Sequence, residues 1–190
     1  MKFVHVDGTF EHWRAVAREL LAQRAPPAEV AFSEEDPGEL LPGFAAEATA
    51  SYAAADGART SSCSVQGVDA PRRVPAVFLS LARRVACHRD PSRWTRLYRV
   101  LWRVVHDDAR VLQDPTDEEV AALDGMAEAV RQDIHRVHAL VRFRRVEDAC
   151  GERYVAFHRP DHRTLRPAAP FFAHRFAGMR WSILTPDDSV

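Results

Sequence analysis

The feature that most constrains the fold is the spacing of apolar residues between positions 120 and 141. They recur at intervals of three and four, which keeps one stripe of a helix turned toward a core. The stripe consists of Val120, Leu123, Ala127, Val130, Ile134, Val137 and Val141. Residues 141–146 are rich in Val, Phe and Arg, and Gly151 with the alternating segment 153–157 follows. This change of period predicts a long amphipathic helix that leads directly into a β-hairpin.

Similar patterns predict the remaining elements. Thr9 is expected to cap the first helix, and Thr116 with Glu119 forms a capping box at the start of the long helix. Helices are predicted over residues 10–24, 74–88, 91–112, 116–141 and 167–178. Strands are predicted over residues 2–6, 30–32, 141–146, 153–157 and 180–185, with a further strand at 61–65. We therefore expect an α+β fold in which four to five helices pack on a small, mainly antiparallel sheet.

The chain is long enough to form a substantial core. With 190 residues and 46% hydrophobic content, we predict a single domain over residues 1–190, interrupted by a loose acidic connector at about 33–73. Core positions are predicted to include Val77, Phe171, the other phenylalanines, Trp94 and Trp102. No apolar run approaches a membrane span and no secretion signal precedes the first strand, so a bacterial cytoplasmic location is expected. Cys63, Cys87 and Cys150 are too scattered for a disulfide framework or a cysteine zinc site.

Charge is distributed unevenly along the chain. Residues 1–70 hold 5 Lys or Arg against 11 Asp or Glu, whereas residues 71–190 hold 21 against 16. Only one of the 26 basic residues is a lysine. Arginine suits bidentate contacts with phosphates, although a GC-rich genome would also favour Arg over Lys without any functional cause.

The third helix carries a column of basic side chains at intervals of three and four. The column consists of Arg96, Arg99, Arg103, His106 and Arg110. Like charges in one column repel each other unless an anion or acidic neighbours neutralise them. The column therefore predicts either a surface that follows a phosphate backbone or a solvated face paired with Asp107, Asp108 or the acidic N-terminal part.

The long helix carries a second basic face beside its buried stripe. At 100° per residue, Arg131, His135, His138 and Arg142 lie within roughly 60° of one another. Two histidines three residues apart can reach one metal ion, with a third ligand from His158, His162, Asp133 or Asp161. They can equally move protons or have purely structural partners. No Walker loop, dinucleotide-binding glycine motif or nucleophile elbow occurs, which disfavours those classes of enzyme.

Four blocks of the C-terminal half resemble an uncharacterised bacterial family labelled a probable DNA metabolism or repair domain. The blocks are residues 133–144 (DIHRVHALVRFR), 151–156 (GERYVA), 160–162 (PDH) and 169–186 (APFFAHRFAGMRWSILTP). Residues 7–10 (DGTF), near the start of the chain, and residues 86–90 (ACHRD) also fit the pattern of this family. Members of that family look like free-standing proteins encoded beside a radical-SAM DNA-repair protein, or like N-terminal halves fused to a UdgX-type uracil-DNA glycosylase domain. Where relatives show Trp-Phe-Glu-Pro, this chain has FHRP at 157–160. The glutamate of the family motif is therefore replaced by Arg159, which puts any role of that glutamate in doubt for this chain.

The resemblance implies a nucleic-acid-binding accessory domain of DNA repair that works with a glycosylase-like or radical-SAM partner. Family-matching positions are His135, His138, Arg142, Arg144, His162, Arg175, Trp181 and Ser182. The predicted nucleic-acid-binding residues are Arg96, Arg99, Arg103, Arg110, Arg131, Arg142, Arg144 and Arg175. The alternatives are an enzyme acting on damaged DNA through His135, His138 and His162, and a protein-interaction module without DNA contact. No cofactor or metal is assigned.

Overall fold

The computed structural model describes residues 1–35, 73–148 and 151–190, and in these ranges the fold is α+β. The helices are α1 (Phe10–Ala22), α2 (Ala76–Ala86), α3 (Arg93–His106), α4 (Glu118–Leu140) and α5 (Leu165–Arg175). The strands are β1 (Lys2–His5), β2 (Val30–Ser33), β3 (Arg144–Asp148), β4 (Gly151–Phe157) and β5 (Trp181–Leu184). The predicted strand at 61–65 and most of the predicted connector lie outside the described residues. No described helix combines the length and apolarity needed to cross a bilayer.

The prediction of one mainly antiparallel sheet is wrong. β1 pairs with β2 in parallel, and these two strands form a sheet of their own. The second sheet has the order β3-β4-β5, in which β3 and β4 form the expected antiparallel hairpin and β5 joins β4 in parallel. β4 and β5 are parallel because α5 connects them, and a crossover of that length returns the chain in the same direction.

The first core cluster joins α1, α2, α3 and the first half of α4. Trp13 and Trp94 stack at its centre with ring centroids 6.1 Å apart, and Phe78 is fully buried nearby. Tyr98 is also buried, and its hydroxyl donates to the carbonyl of Ala25 at 2.7 Å. Burial raises the pKa of Tyr98 to about 12.

The second cluster joins the end of α4 to α5 and the three-stranded sheet. Its buried members are Val137, Val141, Ala156, Leu165, Ala168, Phe172 and Ile183. Phe143 lies half-buried among Phe172, Phe176 and Trp181, with ring centroids 5.3 to 6.1 Å apart. Since α4 spans 23 residues, or about 35 Å, it contributes to both clusters and fixes one against the other.

Several local predictions are also wrong. α3 ends at His106, and Arg110 lies on the separate 3₁₀ turn Ala109–Gln113. Asp117 caps α4 by accepting from the amide of Val120, whereas Thr116 is held by Asp114. Val77, in the first turn of α2, is 71% exposed. The phenylalanines at positions 3, 157 and 171 are 76%, 68% and 45% exposed.

Candidate functional site

The predicted basic column on α3 faces the start of α4. Arg96 and Arg99 each bind one oxygen of Glu119 at 2.8 Å. Arg103 binds Asp117 at 2.6 Å, and this hydrogen bond raises the pKa of Arg103. These contacts connect α3 to α4, so acidic groups of the protein neutralise most of the column. Arg110 is 89% exposed, and its ion pair with Asp108 is long, at 3.9 Å.

The histidines of α4 have different surroundings. His135 is exposed, and its Nε2 lies 3.5 Å from Arg131, which Glu128 holds through two hydrogen bonds. His138 is half-buried against α5: its Nε2 lies 3.2 Å from the carbonyl oxygen of Ala168, and its ring stacks on Phe171 with centroids 4.3 Å apart. His138 thus joins two helices, whereas His135 faces solvent.

The third predicted catalytic histidine lies elsewhere. The ring of His162 packs on the ring of His88, with centroids 4.2 Å apart. Burial lowers the pKa of both imidazoles below the ordinary value of 6.5, so both are neutral at pH 7. The described side chains include no group of three or more His, Cys, Asp or Glu that could hold a metal ion. His135, His138 and His162 have different neighbours, namely Arg131, Phe171 and His88, and the structure does not bring the three imidazoles together around one site.

Asp133 holds the loop that carries His162. This carboxylate is only 2% exposed and accepts from the amides of Asp161 (3.2 Å) and His162 (3.0 Å) and from the hydroxyl of Thr164 (2.8 Å). Burial alone would raise its pKa, but these hydrogen bonds and the nearby Arg136 lower it below its ordinary value. Asp133, a candidate metal ligand by its position in sequence, therefore acts as an anchor for residues 161–164.

A partly buried ion cluster adjoins the same loop through Arg163. Arg93 is fully buried, with its guanidinium 4.4 Å from the Trp94 ring centre, and it forms an ion pair with Glu34. Glu34 also accepts from Trp94 Nε1 and from Arg163, both at 2.8 Å. Sequence reasoning missed Arg93. Its signal was a single arginine on the apolar stripe that continues through Leu97, Val100 and Val104 of α3.

A cavity of about 730 Å³ opens beside this cluster. It is bounded by the starts of α1 and α5, by the end of α2 and by residues 185–188 near the C-terminus. Arg83, Cys87, His162 and Arg166 are among its lining residues. The Nδ1 atom of His162 is buried and has no hydrogen-bond partner among the described residues. Burial raises the pKa of the Cys87 thiol, so it is protonated at pH 7. Gly8 lines the cavity with φ of 81°, and a Cβ there would lie 2.5 Å from Arg163.

Three of the predicted nucleic-acid-binding residues are exposed without an acidic partner among the described residues. We call Arg142, Arg144 and Arg175 the arginine rim. Arg142 donates only to backbone carbonyls, and the Arg175 guanidinium lies 5.9 Å from the Phe176 ring centre. The two segments that carry the rim meet because Phe143 packs on Phe176 with centroids 5.3 Å apart. Arg142 follows the end of α4, so it does not share a helical face with Arg131 as predicted.

Comparison with known proteins finds a family for the C-terminal half of the chain. Residues 91–189 match the domain of unknown function DUF4130. The chain belongs to this family. The matched region begins just before α3 and includes the second core cluster, the arginine rim and the loop that Asp133 anchors. No curated protein and no solved structure matches this chain.

Proposed function

We propose that this chain is a nucleic-acid-binding accessory domain of DNA repair that works with a uracil-DNA glycosylase-like or radical-SAM partner. The observation that carries the proposal is the arginine rim, whose guanidinium groups have no acidic partner among the described residues. An arginine in this state can bind a phosphate without breaking an ion pair. The choice of partner rests on the family resemblance alone.

The α3 column is less suited to this role. To bind phosphates, Arg96 and Arg99 would have to leave Glu119, and Arg103 would have to leave Asp117. Arg131 would likewise have to leave Glu128. We therefore assign the main phosphate contacts to the rim and a secondary role to these four arginines and Arg110.

The test is fluorescence-anisotropy titration of DNA at several salt concentrations with an Arg142→Glu, Arg175→Glu variant. If both arginines contact phosphates, the slope of log affinity against log salt should fall by about 2. The matched control is Arg14→Glu with Arg18→Glu, which makes the same charge change at exposed positions of α1. Equal slopes for the rim variant and the wild type would refute the role of the rim.

The α3 column needs milder substitutions. Arg96→Glu would place a carboxylate against Glu119, so loss of binding could reflect damage to the α3–α4 contact. Arg96→Gln with Arg103→Gln removes both charges without adding repulsion. We expect this variant to change the salt slope less than the rim variant does. A larger change would indicate that the main phosphate contacts lie on α3.

An enzyme acting directly on damaged DNA is the second candidate. It is favoured by His162, which lines the cavity and whose imidazole burial keeps neutral, because a neutral imidazole can accept a proton as a general base. In this case His162→Asn should retain DNA binding and abolish turnover of uracil-containing DNA. His135→Ala, which alters an exposed ring that does not line the cavity, is the comparison. Absence of DNA binding and turnover in the wild type would leave a protein-interaction module.

A further inference from the structure

The three-stranded sheet has one face in the core and one in solvent. Side chains alternate along a strand, and residues paired in register point to the same side. Ala156 and its partner Ile183 are buried in the second core cluster. The opposite side, which we call the outer face, is formed by Arg144, Val146, Arg153, Val155, Phe157, Ser182 and Leu184.

The outer face is unusually apolar for a solvent-facing surface. Phe157 is 68% exposed, its register partner Leu184 is 42% exposed, and Val146 is 44% exposed. Phe157 is the last residue of the central strand, beyond the end of β3, so it pairs only with Leu184 of β5 and its ring is reached from solvent. Exposed apolar groups that form a contiguous patch commonly mark a binding surface. The sequence prediction counted Phe157 as core because phenylalanine is more often buried than part of a base-stacking surface, and this prediction is wrong.

Positive charge adjoins this patch. Arg144 of the arginine rim is exposed and pairs in register with Val155, so it is a diagonal neighbour of Phe157 at about 7–8 Å. The acidic side chains of Glu147 and Glu152 lie on the opposite face of the sheet, where they contact Arg145. An aromatic ring next to an arginine matches the base and the phosphate of a nucleotide.

We infer that the outer face binds single-stranded DNA, with a base stacked on Phe157 and the backbone phosphate contacted by Arg144. This inference rests on the proposed function and names the form of nucleic acid. A base in a duplex hides its π-face between its neighbours, whereas an unpaired base can stack on an aromatic side chain. The face therefore favours a strand exposed at a lesion or gap over an intact duplex.

The experiment compares Phe157→Ala and the wild type by anisotropy titration with fluorescein-labelled oligothymidylate and with a duplex of equal length. Loss of one stacked base should weaken binding of the single strand about 10- to 100-fold. Duplex affinity should be unchanged, and Phe157→Tyr should retain wild-type affinity. The matched control is Phe3→Ala, which removes another exposed phenylalanine from the separate β1–β2 sheet and should alter neither affinity.

The possible results separate this inference from the proposed function. If Phe157→Ala binds the single strand as tightly as the wild type while the rim variant is weakened, the stacking site is refuted and the proposed function stands. If the wild type binds neither DNA, both fail. Light scattering tests a third possibility, namely that the outer face is a contact between two copies of the chain. If the wild type is a dimer, the Phe157→Ala variant is a monomer and both bind DNA with equal affinity, the inference is overturned.

Discussion

The buried carboxylate of Asp133 offers the sharpest test of how this site is built. Asp133→Ala removes an acceptor shared by the amides of Asp161 and His162 and the hydroxyl of Thr164. Thr164 is fully buried, so its hydroxyl cannot turn to water when the carboxylate is lost. A buried donor left without a partner costs about 1–3 kcal/mol. Asp161 is exposed and can be hydrated, so we count two donors and expect a loss of about 3 kcal/mol.

Urea unfolding followed by circular dichroism measures this loss directly. For a chain of this length a loss of about 3 kcal/mol corresponds to a fall in Tm of about 6–12 °C. Asp124→Ala is the control, because Asp124 is exposed on the same helix, and it should change stability by less than about 0.5 kcal/mol. If Asp133→Ala is as stable as Asp124→Ala, Asp133 does not anchor the loop and our account of the cavity wall is wrong.

The pH dependence gives an independent check on the same group. The folded pKa of Asp133 lies below its ordinary value of 3.8, so the folded state binds the proton less readily than the unfolded state. Its contribution is therefore complete above pH 3.8 and is lost as the pH falls through the lowered folded value. The difference in stability between wild type and Asp133→Ala should shrink in that acidic range. A difference that grows with acidification would contradict the sign of the shift.

Two further predictions concern the surroundings of the same loop. Glu34→Ala leaves the buried guanidinium of Arg93 without its carboxylate and should cost about 3–5 kcal/mol in urea unfolding, whereas the same change at the exposed Glu35 should be nearly neutral. Because burial lowers the folded pKa of His88 and His162, stability should fall as the pH drops from 6.5 through the folded values. His162→Phe keeps a ring against His88 and should flatten this decline; an unchanged slope in unfolding titrations would contradict it.

The candidate site was only partly predictable from residue spacing. The repeat of Arg96, Arg99 and Arg103 correctly placed three arginines on one helical face, since helical spacing is a local property. It could not identify Glu119 and Asp117 as their partners, because these belong to the next helix and meet the arginines only through packing. The interaction of His162 with His88 was hidden for the same reason.

The sequence by itself determined the elements of this protein. The apolar stripe of α4, the Thr9 cap of α1 and the β3–β4 hairpin follow from local periodicity and capping, which need few neighbours to act. Only the tertiary structure decided that β5 joins β4 in parallel and that Phe157 faces solvent. Alternation along a strand fixes which side chains share a face, but whether that face is covered depends on where distant helices pack.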